Sequence, residues 1–137
     1  HGANGITVTG GKLRGVTVDM ADMPDMVPTL AVVAAFADGI TVMENVSHLK
    51  GKESDRLSST CAELEKMGID ATAEDDRLRV TGGRPHGAEI QTYDDHRIAM
   101  SFAVAGLRAP GTVVRDERCV EKSFPNFWRV FEGLYGT

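Results

Sequence analysis

Cysteine, proline and aromatic residues are scarce in this sequence of 137 residues. It contains two cysteines, five prolines and one tryptophan, and aromatic residues make up only 6% of the chain. Cys61 and Cys119 belong to no C-x-x-C pair and stand in no metal-ligand spacing, which argues against a zinc site and a disulfide scaffold. We therefore expect two free thiols, a reducing cytoplasmic environment and no bound metal.

The sequence also lacks a long apolar run and an excess of positive charge. The apolar stretch at residues 27–37 is far shorter than the roughly 20 residues that cross a bilayer. The formal net charge is -5 and the pI about 5.3, so no overall field attracts nucleic acid or an anionic membrane. We expect neither kind of partner, and an anionic ligand must be held by local basic residues.

Hydrophobic residues (42%) and charged residues (26%) are present in the proportions of an ordinary globular protein. The length suits one domain. Some segments alternate apolar and polar residues, and others repeat apolar residues at helical spacing. These patterns predict a mixed order of strands and helices. The predicted strands are residues 6–9, 16–19, 40–43, 69–73, 77–81, 88–92 and 112–114, and the predicted helices are residues 26–37, 54–67, 98–107 and 124–134.

Two parts of the chain look like copies of one unit. His96 lies 71 positions after Asp25, and Lys122 lies 70 positions after Lys52. Each part is predicted to run through a strand, a helix, a strand and a second helix, and the first part adds two further strands. The second copy is therefore truncated.

The repeat defines the expected fold. Residues 1–137 form one domain portion, with unit one at about residues 14–82 and unit two at about residues 87–137. Because each helix pair needs a sheet to cover it, we expect an α+β fold with the helices packed together inside and the sheets outside.

Positive charge falls at places where helices are predicted to begin. His96 and Arg97 open one helix, Lys50 and Lys52 precede a second, and Lys122 stands ahead of a third. The partial positive charge of a helix start favours acidic residues instead. Basic residues that replace the favoured acidic ones at equivalent points of a repeat indicate a functional site. The backbone N–H groups of a helix start, together with Arg and Lys side chains, can bind a phosphate or a carboxylate.

Several of these polar residues also have ordinary structural explanations. Arg56 could simply pair with Glu53 or Asp55. Three residues are competent helix caps: Asp25, Ser54 and Asp95. Taken one at a time, each residue fits a structural role at least as well, whereas the aligned helix starts favour a ligand site.

Four segments carry a resemblance to a known family. They are MPD at residues 23–25, KESDRL at 52–57, YDDHRIAM at 93–100 and CVEKSFP at 119–125. In order and spacing they resemble the C-terminal signature segments of the 5-enolpyruvylshikimate-3-phosphate synthases. The resemblance implies an enzyme of two domains, each of three β-α-β-α-β-β units, with substrates bound between them. This chain would supply two of the three C-terminal units.

The family transfers the enolpyruvyl group of phosphoenolpyruvate to the 5-hydroxyl of shikimate 3-phosphate and releases phosphate. The resemblance implies that Asp25 accepts the hydroxyl proton, while Glu53 and Lys122 are candidates for proton transfer at the methylene carbon. It places His96 beside the phosphoenolpyruvate site. Lys52 would contact shikimate 3-phosphate, helped by Asp25.

The anionic end of phosphoenolpyruvate would be bound by Arg56, Arg97 and Lys122, again as the resemblance implies. The family usually has asparagine where this chain has His48, a further position expected to contact substrate. The complete substrate-binding set is then Asp25, His48, Lys52, Arg56, Arg97 and Lys122.

No cofactor is expected. The resemblance implies that the N-terminal domain brings the remaining groups to both substrates, so we expect residues 1–137 alone to be inactive and the complete enzyme to be monomeric. Two alternatives stay open: an enolpyruvyl transferase acting on a nucleotide sugar, and a non-catalytic module that binds a phosphorylated ligand or RNA. The acidic charge and the lack of an aromatic platform argue against RNA.

Overall fold

The computed structural model describes residues 1–135, which form six strands and four α-helices. The strands are β1 Thr17–Asp19, β2 Ile40–Glu44, β3 Asp70–Ala73, β4 Arg77–Thr81, β5 Glu89–Ile90 and β6 Val113–Val114. The helices are α1 Val27–Ala34, α2 Arg56–Lys66, α3 His96–Gly106 and α4 Phe127–Tyr135. Short 3₁₀ turns lie at Pro24–Met26, Ser47–Gly51 and Glu117–Lys122.

The first half of the chain builds a four-stranded sheet in the order β1-β2-β4-β3. Strand β1 runs parallel to β2, and the other neighbours are antiparallel. Met43 and Leu78 are paired across β2 and β4 and are fully buried, whereas Arg79 of β4 is exposed. This alternation gives the sheet one face against α1 and α2 and one face toward solvent.

The second half begins again with a parallel pair, β5 and β6, joined through α3. Helix α3 packs on both α1 and α2. Phe102 of α3 and Ala31 of α1 are fully buried, and the Ser101 and Thr29 hydroxyls lie 3.0 Å apart in a hydrogen bond. The expected arrangement, with helices packed together inside and sheets covering them, is therefore confirmed.

Several predicted elements and bounds differ from the structure. Residues 6–9 form no strand and are exposed, because no neighbouring strand within residues 1–135 pairs with their backbone. Helix α1 ends at Ala34, and residues 35–37 continue as turns. Helix α4 begins at Phe127 instead of residue 124, since Pro125 disfavours helical backbone at the residue before it. Residues 136–137 of the expected second unit lie outside the described residues.

The helices of the described residues are short relative to a bilayer. Among residues 1–135, no helix is long and apolar enough to cross a membrane.

Candidate active site

Arg56, the first residue of α2, is buried although it carries a charge. Only 2% of its surface is exposed, and three carboxylates surround its guanidinium group. Nε donates to Asp95 at 2.8 Å, Nη1 donates to Asp25 at 2.9 Å, and Nη2 donates to Glu53 at 2.7 Å. A buried cation needs such partners, and the planar fork of arginine can serve several carboxylates at once.

Asp95 is the fully buried partner in this cluster. Its carboxylate accepts hydrogen bonds from Arg56, from the Ser54 hydroxyl at 2.9 Å and from the Arg97 backbone N–H at 2.9 Å. Burial alone would raise the pKa of Asp95, but the hydrogen bonds and the charge of Arg56 outweigh it and hold the pKa below its usual range. Asp95 is therefore ionised at neutral pH.

The predicted cap role of Asp95 at the start of α3 is confirmed, but its ion pair with Arg56 was missed. Of the partners considered for Arg56, Glu53 pairs with it, and Asp55 instead caps α2 by accepting from the Ser58 N–H. No local pattern in the sequence predicts this pair, because only the folded structure shows that Asp95 is fully buried.

Asp25 connects the starts of two different helices. It lies in the 3₁₀ turn that precedes α1, where Oδ1 accepts from Arg56 and Oδ2 lies 3.6 Å from Nη2 of Arg97. Nε of Arg97 and Nδ1 of His96 are buried and have no hydrogen-bond partner within residues 1–135. Buried polar atoms normally have partners, so these two mark the place where the cluster is incomplete.

Lys122 approaches from the second half of the chain. Its Nζ donates to the backbone oxygen and to Oδ2 of Asp94, both at 2.8 Å. The hydrogen bond to Asp94 raises the pKa of Lys122. The lysine ends the 3₁₀ turn Glu117–Lys122 and stands ahead of α4 as predicted, but α4 begins only at Phe127, so Lys122 is not at the helix start itself.

The other basic candidates form no hydrogen bond or ion pair with this cluster among residues 1–135. His48 is exposed in the 3₁₀ turn Ser47–Gly51, and Lys52 is exposed directly after it. Across residues 1–135 neither side chain makes a hydrogen bond or an ion pair. Lys50 faces Asp75 at 3.9 Å on the surface. The structure thus brings together Arg56, Arg97, Asp25 and Glu53, with Lys122 on the neighbouring residue Asp94.

The cluster forms an open face. Four of its side chains are a third to a half exposed: Asp25, Glu53, Arg97 and Lys122. Beneath them, Arg56 and Asp95 are buried and fix the positions of the others. The described residues contain no group of three or more His, Cys, Asp or Glu side chains arranged to hold a metal. An open charged face of this kind can bind an anion but cannot enclose it.

The chain resembles a large set of known proteins. A 3-phosphoshikimate 1-carboxyvinyltransferase from Syntrophobacter fumaroxidans is 50% identical over 129 residues, covering 93% of this chain and 30% of that protein. One from Methanoculleus marisnigri is 46% identical over 136 residues, covering 98% of this chain and 32% of that protein. The chain therefore spans about a third of the length of these relatives.

Solved structures agree with the sequence comparison. An EPSP synthase from Acinetobacter baumannii matches with a TM-score of 0.80 and 35% identity, over 90% of this chain and 30% of that one. The enolpyruvyl transferase NikO from Streptomyces tendae matches with a TM-score of 0.73 and 27% identity, over 90% of this chain and 28% of that one. Both likenesses confirm the enolpyruvyl transferase-like α+β fold. Because residues 1–131 also match the family described as EPSP synthase (3-phosphoshikimate 1-carboxyvinyltransferase), the chain belongs to the EPSP synthase family.

Proposed function

We propose that this chain supplies one face of a cleft that transfers the enolpyruvyl group of phosphoenolpyruvate to the 5-hydroxyl of shikimate 3-phosphate, with release of phosphate. The observation that carries the proposal is the convergence of cations and carboxylates from three helix starts. Arg56 and Arg97 meet at Asp25, although these residues are far apart in the sequence. Membership of the EPSP synthase family supports the same reaction.

The anionic end of phosphoenolpyruvate binds Arg56, Arg97 and Lys122 in this proposal. Guanidinium groups hold a carboxylate or phosphate with two parallel hydrogen bonds, while lysine acts as a point charge. The exposure of Arg97 supports this role because 36% of its side-chain surface is accessible, and a substrate oxygen can reach the guanidinium group. His96 precedes Arg97 in α3, and its Nδ1 is buried without a hydrogen-bond partner among residues 1–135.

The chemistry requires a base, a proton for the methylene carbon and a leaving phosphate. Asp25 accepts the proton of the 5-hydroxyl as its oxygen bonds to C2 of phosphoenolpyruvate, and a proton is added to the methylene carbon. Loss of that proton and cleavage of the C2–O bond to phosphate then restore the double bond. We assign the exchange of the methylene proton to Glu53 and Lys122. The half-exposed Asp25 carboxylate supports its role as the base, because a substrate can reach it.

Shikimate 3-phosphate is bound by Lys52 together with Asp25, and His48 takes part from the preceding turn. Both basic side chains are exposed, and neither is tied to a carboxylate among residues 1–135. They can therefore bind a phosphate group without first breaking an ion pair. The exposed position of this turn supports a contact that forms only when substrate binds.

The charges of this face are balanced, which supports the proposal that it is half of a site. Arg56, Arg97, Lys122 and Lys52 carry four positive charges, and Asp25, Glu53, Asp94 and Asp95 carry four negative ones. Two multiply charged anionic substrates need further cations. We assign these to the N-terminal domain of a complete, monomeric, cytoplasmic enzyme, with the present chain providing C-terminal units at about residues 14–82 and 87–137. Residues 1–137 alone are then inactive.

The test compares the chain with the complete protein that carries it. Phosphate release is measured with phosphoenolpyruvate and shikimate 3-phosphate together and with each alone. We expect turnover only with the complete protein and both substrates. Turnover by residues 1–137 alone would contradict the half-site, and no turnover by the folded complete protein would contradict the reaction.

An enolpyruvyl transferase with a different acceptor alcohol is the second candidate, favoured by the structural likeness to NikO. A competition assay decides between them, in which a nucleotide sugar and shikimate 3-phosphate compete for limiting phosphoenolpyruvate. We expect shikimate 3-phosphate, and not the nucleotide sugar, to be converted to product. Salt-sensitive binding of the chain to a random oligonucleotide, without any turnover, would favour the third alternative, a non-catalytic module.

A further inference from the structure

The segment that delivers Asp95 to the site is strained. Tyr93 and Asp94 have backbone φ angles of 55° and 53°, in the left-handed region that residues other than glycine rarely adopt. Two consecutive residues of this kind persist only when the surrounding contacts hold them in place. On one side, Lys122 binds Asp94, and Arg56 binds Asp95. The contacts on the other side come from a residue that the proposed chemistry does not use.

That residue is Glu63, a carboxylate with 0% exposure on α2. It accepts a short hydrogen bond of 2.6 Å from the Tyr93 hydroxyl and one of 3.0 Å from the Gln91 backbone N–H. Nζ of Lys66, one turn further along α2, balances its charge at 2.8 Å. Partial burial of the Tyr93 hydroxyl and the hydrogen bond to Glu63 raise the pKa of Tyr93 to about 12, so the phenol stays a donor at neutral pH.

Glu63 and Arg56 belong to the same helix and hold the strained segment at its two ends. Seven residues separate them, which corresponds to about 10 Å along α2. Glu63 binds the Gln91 N–H before the turn and the Tyr93 hydroxyl at its first residue, and Arg56 binds Asp95 after it. The spacing of Glu63 and Arg56 on one rigid helix therefore sets the backbone conformation from Tyr93 to Asp95. This segment includes Asp94, the residue that binds Lys122.

We propose that Glu63 and Tyr93 are positioning residues that hold the Tyr93–Asp94 turn so that Lys122 and Arg97 face the anionic end of phosphoenolpyruvate. The inference rests on the proposed function and adds two residues that touch no reacting group. Lys122 depends on the turn through Asp94. Arg97 depends on it because Asp95, which directly follows the turn, caps α3 by accepting from the Arg97 N–H. Shikimate 3-phosphate is assigned to Lys52, His48 and Asp25, and none of these three residues is bound to Tyr93 or Asp94 among residues 1–135.

The test uses Tyr93→Phe and Glu63→Gln in the complete protein. Tyr93→Phe removes one hydroxyl and keeps the ring. Glu63→Gln keeps the shape but loses the charge opposite Lys66. In both variants we expect the KM for phosphoenolpyruvate to rise about tenfold, as for the loss of one charge-assisted hydrogen bond, and the KM for shikimate 3-phosphate to change less than about twofold.

Matched controls are Tyr135→Phe and Glu65→Gln, which make the same chemical changes at exposed positions. They should leave both KM values unchanged. If Glu63→Gln does not fold, Tyr93→Phe carries the test.

The split between the two substrates separates positioning from a general loss of stability. A merely structural contact would lower the amount of active enzyme, and hence the apparent kcat, while both KM values stayed the same. That result, or unchanged kinetics in an active enzyme, would overturn this inference and leave the proposed function standing. An inactive wild-type protein would overturn the proposed function and the inference together.

Discussion

Nε of Arg56 lies 2.8 Å from Oδ2 of Asp95, and the side chains of both residues are at most 2% exposed. The pair joins the start of α2 to the start of α3, and Arg56 reaches from it to Asp25 and Glu53 on the exposed face. The ion pair is thus both a structural connection between the two halves and the base on which the proposed site is built. Without Arg56, Asp95 would be a buried charge with no opposite charge paired to it among residues 1–135.

The first prediction concerns this pair. Asp95→Asn keeps the helix cap, since asparagine caps as well as aspartate, but it removes the charge opposite Arg56. We expect the free energy of unfolding to fall by about 2–4 kcal/mol, because Arg56 retains Asp25 and Glu53 as half-exposed partners. Urea unfolding of residues 1–137, followed by the fluorescence of Trp128, measures the change.

Asp75→Asn is the matched control for that experiment. Asp75 is fully exposed and faces Lys50 at 3.9 Å, so its replacement should change the free energy of unfolding by less than about 0.5 kcal/mol. Equal effects of the two substitutions would contradict the importance of the buried pair.

The second prediction concerns acid. The folded-state pKa of Asp95 is lower than the unfolded value of about 3.9, so the stabilisation is fully present above pH 3.9 and is lost as pH falls through the folded pKa. We expect the free energy of unfolding of Asp95→Asn to decline less steeply below about pH 4 than that of the wild type. Unfolding measured from pH 3 to pH 7 gives the two slopes, and identical slopes would show that Asp95 titrates normally.

The third prediction concerns phosphoenolpyruvate binding. In Arg97→Lys the positive charge stays but the paired hydrogen bonds are lost, so we expect kcat/KM for phosphoenolpyruvate in the complete protein to fall about 10- to 100-fold. Steady-state phosphate release provides the measurement. Arg118→Lys, at an exposed position that pairs with Glu121, serves as the control and should behave as the wild type. A wild-type rate for Arg97→Lys would remove Arg97 from the proposed site.

The fourth prediction concerns the two thiols. Burial, with smaller contributions from nearby acidic residues, raises the pKa of Cys61 to about 11, and burial also raises the pKa of Cys119. Because only the thiolate reacts, two units of pKa lower its fraction about 100-fold at neutral pH. We expect slow reaction with a thiol reagent in the native chain and fast reaction of both cysteines in urea. A rapid native phase from Cys61 would contradict this burial.

Local patterns in the sequence were enough to predict most elements of the fold. The strand at residues 77–81 was predicted with its observed bounds, and α2 and α3 within about two residues, because alternation and helical spacing reflect which side of an element is buried. The strand predicted at residues 6–9 failed for a physical reason. A strand needs a partner to satisfy its backbone, and the sequence of one segment does not say whether that partner exists.

The candidate site, like the fold, was predicted in part from the sequence and in part seen only in the structure. The sequence alone determined which residue types are available and that basic residues recur near equivalent points of a repeat, and these features are readable because they are local. Only the tertiary structure decided that Asp95, predicted as a helix cap, is the buried counter-ion of Arg56, and that Lys122 reaches the site through Asp94 and not from a helix start. Ion pairs between residues some 30 to 40 positions apart depend on how helices pack, and packing is a property of the whole chain.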